Sequence, residues 1–281
     1  MVYSGQERTL RSSRIVLLIA LLVGAYVATA GWGQSPVTSR PEDARRVPVI
    51  VELFTSEGCS SCPPADRLLV ELDRKQPVEG AEIIALGEHV DYWDQLGWKD
   101  RFSAAEFTAR QSVYSRAFGL NTTYTPQMVV DGHAEFVGND AGEARRAIAR
   151  AARAPKAAVQ IAPAEVSSAD DRSIPLVVRV DRLPDVAAHD SAEVLLAITE
   201  SQLASDVRRG ENAGRTLSHT AVVRRLTVLG RTAAGQGHAF FIRHVFKIEP
   251  EWKRENLRAV VFVQERAGGR ILGAASLPLT R

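Results

Sequence analysis

The sequence has few cysteines, no large excess of charge of either sign, and no long apolar run beyond its first 30 residues. Only two cysteines occur among the 281 residues, so no second cysteine pair exists to complete a zinc site. The 35 lysines and arginines nearly balance the 33 acidic residues, which leaves no electrostatic footprint for nucleic acid. Without a second long apolar run, we expect no stable membrane insertion once the first segment is removed.

The first 30 residues have the pattern of a signal peptide. Three arginines precede an apolar run at 15–30, which is short for a helix that spans a membrane. The run ends in Ala28-Thr29-Ala30, the small-x-small form that signal peptidase requires. We therefore expect a signal peptide at 1–30, with an uncleaved anchor as the alternative, and a linker at 31–46. The protein should then be secreted or periplasmic, where disulfides can form.

The remaining sequence divides into two segments with different patterns. From residue 47 to 154, strand-like and helix-like segments alternate, and an Asp131-Gly132 turn joins two short strands near the end. This order predicts an α/β domain. Residues 155–281 contain seven short strand-like segments with turn signals between them, which predicts an all-β, sandwich-like domain.

Both cysteines lie in one motif, Gly58-Cys59-Ser60-Ser61-Cys62-Pro63-Pro64, between a predicted buried strand and a predicted helix. The positive end of the helix dipole favours the thiolate of Cys59, which is the species that attacks a disulfide. One helical turn places Cys62 beside it, where the second thiol can resolve a mixed disulfide. This chemistry also requires that the sulfur of Cys59 be accessible.

Four stretches of the sequence carry a resemblance to known proteins. They are VELFTSEGCSSCPPAD at 51–66, HVDYWDQLGWKD at 89–100, YTPQMVVDG at 124–132 and GENAGRTLSH at 210–219. Through them the sequence resembles the thioredoxin superfamily, and it closely resembles a family of secreted bacterial proteins described as a domain of unknown function. The resemblance implies an α/β thioredoxin-like domain at 47–154, followed by the all-β sandwich-like domain at 155–281, and a redox-competent motif.

The resemblance also implies roles for individual residues. Cys59 matches the attacking cysteine and Cys62 the resolving cysteine. Pro126 matches a cis-proline beside the active site, and a cis Thr125–Pro126 bond exposes the backbone of Thr125 to an extended substrate. Glu52 matches the buried acid that passes a proton to the resolving thiol. We therefore predict an exported thiol/disulfide oxidoreductase that acts on protein thiols or disulfides and needs no cofactor besides its redox-active disulfide.

Two other interpretations of the cysteine pair remain open. The pair could form an inert structural disulfide, or it could take part in a metal site. His89 ends the strand predicted to run beside the motif, so Cys59, Cys62 and His89 could bind Cu(I), as in thioredoxin-like copper-delivery proteins. The protein would then be a periplasmic binding module for a peptide or Cu(I), without redox turnover. The other five histidines lack ligand spacing, and we expect them to be structural.

Overall fold

A computed structural model describes residues 46–164, 171–184, 191–233, 240–267 and 269–280. The predicted signal peptide at 1–30 lies outside the described residues, as does all of the predicted linker at 31–46 except Arg46. The described part contains thirteen strands and three α-helices, and all of it belongs to one compact unit. None of its helices has both the length and the apolar character needed to cross a membrane.

Strands and helices alternate in the first half, as the sequence predicts. The elements are β1 (Val47–Thr55), α1 (Pro63–Lys75), β2 (Ala81–His89), α2 (Ala105–Ala117), β3 (Gln127–Val130), β4 (Ala134–Val137) and α3 (Ala141–Ala151). Helix α1 tolerates Pro63 and Pro64 because N–H groups in the first turn of a helix have no intrahelical acceptor. The two prolines, which lack an N–H, therefore lose no helical hydrogen bond there. Helix α3 begins after Asp140, whose side chain accepts a hydrogen bond from the N–H of Glu143 at 2.8 Å.

The second half consists almost entirely of strands. They are β5 (Ala158–Pro163), β6 (Ser173–Asp181), β7 (Ser191–Glu200), β8 (Leu203–Asp206), β9 (Thr216–His219), β10 (Val222–Ala233), β11 (Phe240–Lys247), β12 (Leu257–Glu265) and β13 (Ile271–Pro278). The sequence predicts one strand across β9 and the start of β10. The structure separates them at Ala221, whose backbone has a φ of 49°.

One mixed sheet of eight strands runs through both halves of the chain, in the order β13-β12-β7-β10-β2-β1-β3-β4. β2 is parallel to both β1 and β10, and the other neighbours are antiparallel. A second sheet has the order β11-β6-β5, and within the described residues β8 and β9 pair only with each other. The strands of the two halves therefore share one hydrogen-bonded framework.

Apolar side chains fill both faces of the large sheet. On one face α1 and α3 cover β1, β2 and β3, with Leu72 and Ile148 among the buried contacts. Alternate residues of a strand point to opposite faces, so Ile50 faces the other side, where it packs in a cluster with Phe107 of α2 and Phe262 of β12. A third cluster joins the three-stranded sheet to β7 and β12. The cluster around Phe107 thus contains side chains from both halves.

The predicted fold class is wrong. We expected an α/β thioredoxin-like domain followed by a separate all-β sandwich-like domain, whereas the protein is mostly β and is built on one mixed sheet. The reason lies at the edge of β2, where the N–H of Gly87 donates to the carbonyl of Ala221 at 2.8 Å and Gly87 pairs with Val222. Residue periodicity locates most of the strands, but it does not show which strand edges pair.

Substitution of Gly87 tests this junction between β2 and β10. A Cβ atom at Gly87 would lie 3.2 Å from the carbonyl oxygen of Thr220 and 3.6 Å from the Cα of Val222. We expect Gly87→Val to lower the free energy of unfolding by about 1–3 kcal/mol, because the larger side chain forces the two strands apart. Urea denaturation measures the change.

Gly142→Ala in α3 is the matched control. The atoms nearest to a Cβ there belong to the side chains of Arg146 and Asp140, at 3.3 Å or more, so we expect a change within about 1 kcal/mol. If Gly87→Val were as stable as the parent protein, the close pairing of β2 with β10 would be contradicted.

Candidate functional site

Cys59 and Cys62 are joined by a disulfide between the end of β1 and the start of α1. We call residues 56–62 the cysteine loop. Its turn is closed by two backbone hydrogen bonds of 3.2 Å, from the N–H of Cys59 to Ser56 and from the N–H of Cys62 to Cys59. Ser60 and Ser61 are exposed, but both cysteines are 0 % exposed. The disulfide lies at the predicted junction, and the structure covers the sulfur that exchange requires to be accessible.

The start of α1 offers Cys59 a dipole but few hydrogen-bond donors. Pro63 and Pro64 have no N–H, and the N–H groups of Ala65 and Asp66 donate to the carbonyl of Cys62 at 2.9 and 3.1 Å. The hydroxyl oxygen of Ser61 lies 3.4 Å from the sulfur of Cys59. A thiolate at Cys59 would therefore be stabilised by the helix dipole and by this hydroxyl, and not by N–H groups of the first helical turn.

Thr125 and Pro126 lie close to the cysteine loop, and the peptide bond between them is cis. Gln127 pairs with Phe54, so Pro126 lies level with the end of β1, just before the loop. A Cβ atom on Gly138 would lie 3.1 Å from the Cβ of Pro126 and 3.2 Å from the Cβ of Ala65. Pro126 and Ala65 of the first turn of α1 therefore both border Gly138. The part assigned to Thr125 in binding a substrate stays a prediction.

Two segments pack against the cysteine loop and its surroundings. One is the aromatic loop, residues 90–104 between β2 and α2, where the indole N–H of Trp93 donates to the hydroxyl of Thr125 at 2.8 Å. The Cβ of Trp93 also lies 3.1 Å from the place that a Cβ on Gly58 would occupy. The other is the strap, residues 207–215 between β8 and β9. Its Asn212 donates from Nδ2 to the carbonyl of Cys59 at 2.9 Å.

Five ionisable side chains form a buried group, one within the cysteine loop and four from neighbouring elements. We call them the buried polar cluster: Glu57, Asp66, His89, Asp100 and His219. Nδ1 of His89 lies 2.6 Å from Oδ2 of Asp100, and the rings of His89 and His219 stand edge to face with their centroids 4.9 Å apart. Nε2 of His219 lies 3.3 Å from Oε1 of Glu57. The cluster therefore joins β2, the aromatic loop and β9 to the cysteine loop.

Hydrogen bonds join the buried polar cluster to the cysteine loop and to the strand that precedes it. At the start of the loop, the backbone N–H of Glu57 donates to Oδ2 of Asp100 at 2.9 Å. The indole N–H of Trp98 donates to Oε2 of Glu57 at 2.7 Å. At the other end, Asp66 lies one helical turn after Cys62, and its carboxylate accepts a hydrogen bond from the hydroxyl of Thr55 at 2.8 Å.

Burial and the neighbouring charges shift the pKa values of the cluster in opposite directions. Burial raises the pKa of Asp100, but the charge of His89 and its hydrogen bond outweigh burial and lower the pKa to about 2. Burial lowers the pKa of His89, but the charge of Asp100 outweighs it, so the pKa of His89 is raised. Burial raises the pKa of Asp66, and the charges of His219 and His89 offset only part of that rise. The cluster thus holds an ion pair beside a carboxyl group that retains its proton more readily than usual.

Glu57 behaves differently from Asp66. Burial raises the pKa of Glu57, but the neighbouring side chains of His219, Ser205 and Trp98 outweigh burial, so the pKa is lowered. An ionised carboxylate is therefore held within the cysteine loop itself, two residues before Cys59. Its charge opposes a second negative charge nearby, so Glu57 counteracts the helix dipole in its effect on a Cys59 thiolate.

The structure does not bring Glu52 to the cysteines. Val51 and Leu53 face α1, so Glu52, between them in β1, faces α2 on the other side of the sheet. Its carboxylate accepts hydrogen bonds of 2.6 Å from Nε of Arg110 and from the hydroxyl of Tyr114. A role for Glu52 in proton transfer to Cys62 gains no support from this placement, because the guanidinium and the phenol already bind both of its oxygens.

No group of three or more histidine, cysteine, aspartate or glutamate side chains is arranged to hold a metal ion within the described ranges. In the proposed copper set of Cys59, Cys62 and His89, the two sulfurs are bonded to each other and Nδ1 of the ring binds Asp100. The copper site stays a prediction.

Sequence reasoning missed most of the buried polar cluster. It predicted that His219 is structural and assigned no role to Glu57, Asp66 or Asp100. A signal was present, because Asp66, Asp100 and His219 are the last residues of three of the stretches that carry the family resemblance. Their convergence depends on the pairing of β2 with β10, which the sequence pattern does not predict.

The fold and the site define a mostly β protein with one mixed sheet, carrying a covered CxxC disulfide over a layer of buried ionisable groups. The chain belongs to the family described as "Protein of unknown function (DUF1223)", whose model matches residues 50–264. The predicted membership of a family of unknown function is thereby confirmed. The predicted assignment to the thioredoxin superfamily gains no such support.

A solved crystal structure is similar to this protein over most of the length of both chains. It is the crystal structure of protein AGR_C_4864 from Agrobacterium tumefaciens, which is 26% identical to this chain, with 84% of this chain and 96% of that chain covered and a TM-score of 0.61. The β-glucuronidase 2 of Bacteroides uniformis matches at 15% identity, with 42% of this chain and 12% of that chain covered and a TM-score of only 0.25. No protein in the curated set matches the chain.

Asp100→Asn tests the buried ion pair. Without the carboxylate charge, burial dominates at His89, so we expect the pKa of His89 to fall, as measured by NMR titration of the ring. A raised histidine pKa stabilises the fold below about pH 6.5 and a lowered aspartate pKa stabilises it above about pH 4. The loss of stability, about 3–5 kcal/mol, should therefore be greatest between those values.

Glu79→Gln is the control for Asp100→Asn, because Glu79 is an exposed acid. It should leave the pKa of His89 unchanged. An unchanged or higher pKa of His89 in Asp100→Asn would contradict the ion pair.

Glu88→Gln tests the second buried charge group, on the α2 side of the sheet. Burial, together with the nearby charge of Glu52, raises the pKa of Glu88 well above its usual value, although Arg110 lowers it in part. The folded state therefore keeps a proton that the unfolded state releases above about pH 4.5, and stability falls by about 1.4 kcal/mol per pH unit above that value.

Glutamine keeps the shape of the neutral acid and does not ionise. Glu88→Gln should match the parent protein near pH 5 and exceed its stability at pH 8, as measured by urea denaturation across that range. A stability difference that does not change with pH would contradict the raised pKa.

Proposed function

We propose that this protein is an exported thiol/disulfide oxidoreductase that exchanges its Cys59–Cys62 disulfide with the thiols of polypeptides. The proposal rests on the site and not on a thioredoxin fold. The observation that carries it is the environment of the disulfide at the start of a helix, where the loop that contains it is hydrogen-bonded to buried ionisable groups, whereas an inert disulfide is served equally well by apolar packing.

The short spacing of the two cysteines also favours exchange over a purely structural role. A disulfide stabilises a fold mainly by restricting the unfolded chain, and the effect grows with the loop that it closes. Cys59 and Cys62 are separated by 3 positions. A loop of that size contributes about 2 kcal/mol, against about 3 kcal/mol for a 15-residue loop.

The exchange proceeds in two displacements at sulfur. A substrate thiolate attacks the sulfur of Cys59, the Cys59–Cys62 bond breaks, and a substrate–Cys59 disulfide forms while Cys62 leaves as a thiolate. A second thiolate of the same substrate then attacks the substrate sulfur of that mixed disulfide. A disulfide forms within the substrate, and Cys59 leaves as a thiolate. Two electrons pass from the substrate dithiol to the protein disulfide, so the substrate leaves oxidised and the protein is left as a dithiol. The same steps in reverse reduce the protein's disulfide substrates.

Asp66 is our candidate for the group that protonates Cys62 as it leaves. It lies one helical turn from Cys62, it is buried, and burial raises the pKa of its carboxyl group. A carboxyl group with a raised pKa keeps its proton more readily than an ordinary aspartate, so it is better suited to donate that proton to a leaving thiolate. The ion pair of His89 and Asp100 lies beside it and fixes the charge against which Asp66 titrates.

Trapping of a mixed disulfide tests the proposal. Reduced Cys62→Ser protein is incubated with insulin, whose chains are held by disulfides, and the products are analysed by mass spectrometry without a reducing agent. We expect an adduct through Cys59 that dithiothreitol releases, because the hydroxyl that replaces the second thiol cannot resolve the mixed disulfide.

Cys59→Ser is the matched control, since it keeps the other cysteine and should form at least tenfold less adduct. The proposal would be overturned if Cys62→Ser formed no adduct, or if both variants formed the same amount. The alternative predicted from the sequence, a binding module for a peptide or Cu(I) without turnover, would then be favoured.

A further inference from the structure

The strap is held over the cysteine loop by polar contacts from two side chains. Nδ2 of Asn212 donates to the carbonyls of Glu57 and Cys59, both at 2.9 Å. The carboxylate of Glu211 accepts a hydrogen bond from the backbone N–H of Ser60 at 3.0 Å. The strap therefore occupies three polar backbone groups of the cysteine loop, at Glu57, Cys59 and Ser60.

The rest of the strap is mostly exposed, although Gly210 packs close to the Cβ of Trp98 in the aromatic loop. Seven of the nine residues 207–215 are exposed, and only Val207 and Asn212 are buried. The strap is closed on itself by backbone hydrogen bonds, from the N–H of Val207 to Arg215 at 2.9 Å and from the N–H of Gly214 to Val207 at 2.8 Å. A segment with internal hydrogen bonds and a small apolar contact can separate from its neighbours as a unit at low cost.

The ribbon that carries the strap is also separate from the large sheet. In the described chain, β8 and β9 pair with each other alone, and a two-stranded ribbon is only marginally stable by itself. Gln202 and Ala221, at the two roots of the ribbon, have φ values of 59° and 49°. His219 fixes the base of the ribbon through Glu57, so movement is easiest at the exposed tip.

We propose that the strap is a displaceable lid that imitates a bound polypeptide substrate. Asn212 offers an amide to two carbonyls and Glu211 offers an acceptor to one N–H, which are the two kinds of contact that an extended backbone makes in strand addition. When the strap lifts, the carbonyls of Glu57 and Cys59 and the N–H of Ser60 become free for the substrate, and the sulfur of Cys59 becomes accessible.

This inference rests on the proposed exchange function, but access of a reductant to the sulfur can be measured without turnover. The disulfide of the full chain is reduced by excess dithiothreitol, and the appearance of thiols is followed over time. We expect Asn212→Ala to speed reduction about tenfold or more, because the closed state loses two buried hydrogen bonds while the disulfide itself is unchanged.

Arg209→Ala is the matched control, because Arg209 is an exposed residue of the same strap and its side chain lies outside the hydrogen bonds that join the strap to the cysteine loop. It should change the reduction rate less than twofold. Glu211→Gln weakens only the exposed contact to Ser60 and should speed reduction about two- to fivefold. That variant carries the test if Asn212→Ala does not fold.

A polypeptide should displace the strap better than a small thiol does. We compare an extended hexapeptide containing one cysteine with N-acetylcysteine methylamide, whose thiol environment is the same but whose backbone is short. In the parent protein we expect the hexapeptide to react about tenfold faster, and in Asn212→Ala we expect this preference to shrink.

The outcomes separate the two proposals. Equal reduction rates in the parent protein, Asn212→Ala and Glu211→Gln would overturn the lid, whatever the trapping experiment gives. An equal rate for hexapeptide and small thiol would overturn the imitation of a substrate. Faster reduction in Asn212→Ala together with no insulin adduct from Cys62→Ser would leave the lid in place and overturn the exchange function.

Discussion

The parallel contact between β2 and β10 is the interaction on which the rest of the structure depends. Gly87 pairs with Val222, and its N–H binds the carbonyl of Ala221 at 2.8 Å, which adds the second half of the chain to the sheet that the first half begins. The ribbon β8–β9 comes directly before β10. It must therefore lie near the end of β2, beside the loop that follows β1. The strap and His219 reach the disulfide for this reason.

Burying the ionisable groups of the polar cluster costs free energy of folding, so their position beside the cysteine loop needs an explanation other than stability. Removing charges from water costs several kcal/mol per ion, and a buried ion pair commonly returns little more than that cost. Here His89 and Asp100 are both about 1 % exposed, and they lie with three other ionisable groups against the cysteine loop. Apolar side chains would stabilise the same space more simply. Groups with strongly perturbed pKa values beside a disulfide are instead suited to control protons during exchange.

A covered disulfide is compatible with exchange if the cover is easily moved. The helix dipole and the hydroxyl of Ser61 favour a thiolate at Cys59, whereas Glu57 opposes it. The sulfur is therefore neither strongly activated nor open in the closed state. A polypeptide that displaces the strap would gain access and backbone contacts in the same event, so recognition of the substrate and exposure of the reactive atom would be coupled.

Local features of the fold could be predicted from the sequence, and the assembly could not. The run from Val47 to Phe54, the motif around Cys59 and Cys62, and the turn at Asp131-Gly132 each contain enough local signal to locate a strand, a helix start or a hairpin. Which edges pair depends on contacts between residues far apart, such as Gly87 and Ala221, and periodicity does not contain that information.

The same limit applies to the site. Glu52 has the residue type of a buried proton carrier, but the alternation of β1 turns it to the opposite face, towards Arg110. His219 has no neighbour in the sequence that indicates its contact with Glu57, because the two are brought together only by the fold.

The reduction potential of the Cys59–Cys62 pair tests the central claim most directly. It is measured by equilibrating the full chain with glutathione buffers of known potential and counting protein thiols at each. We predict a value between about −120 and −270 mV, the range of disulfides that take part in exchange. A value below about −300 mV is characteristic of structural disulfides and would contradict the exchange function.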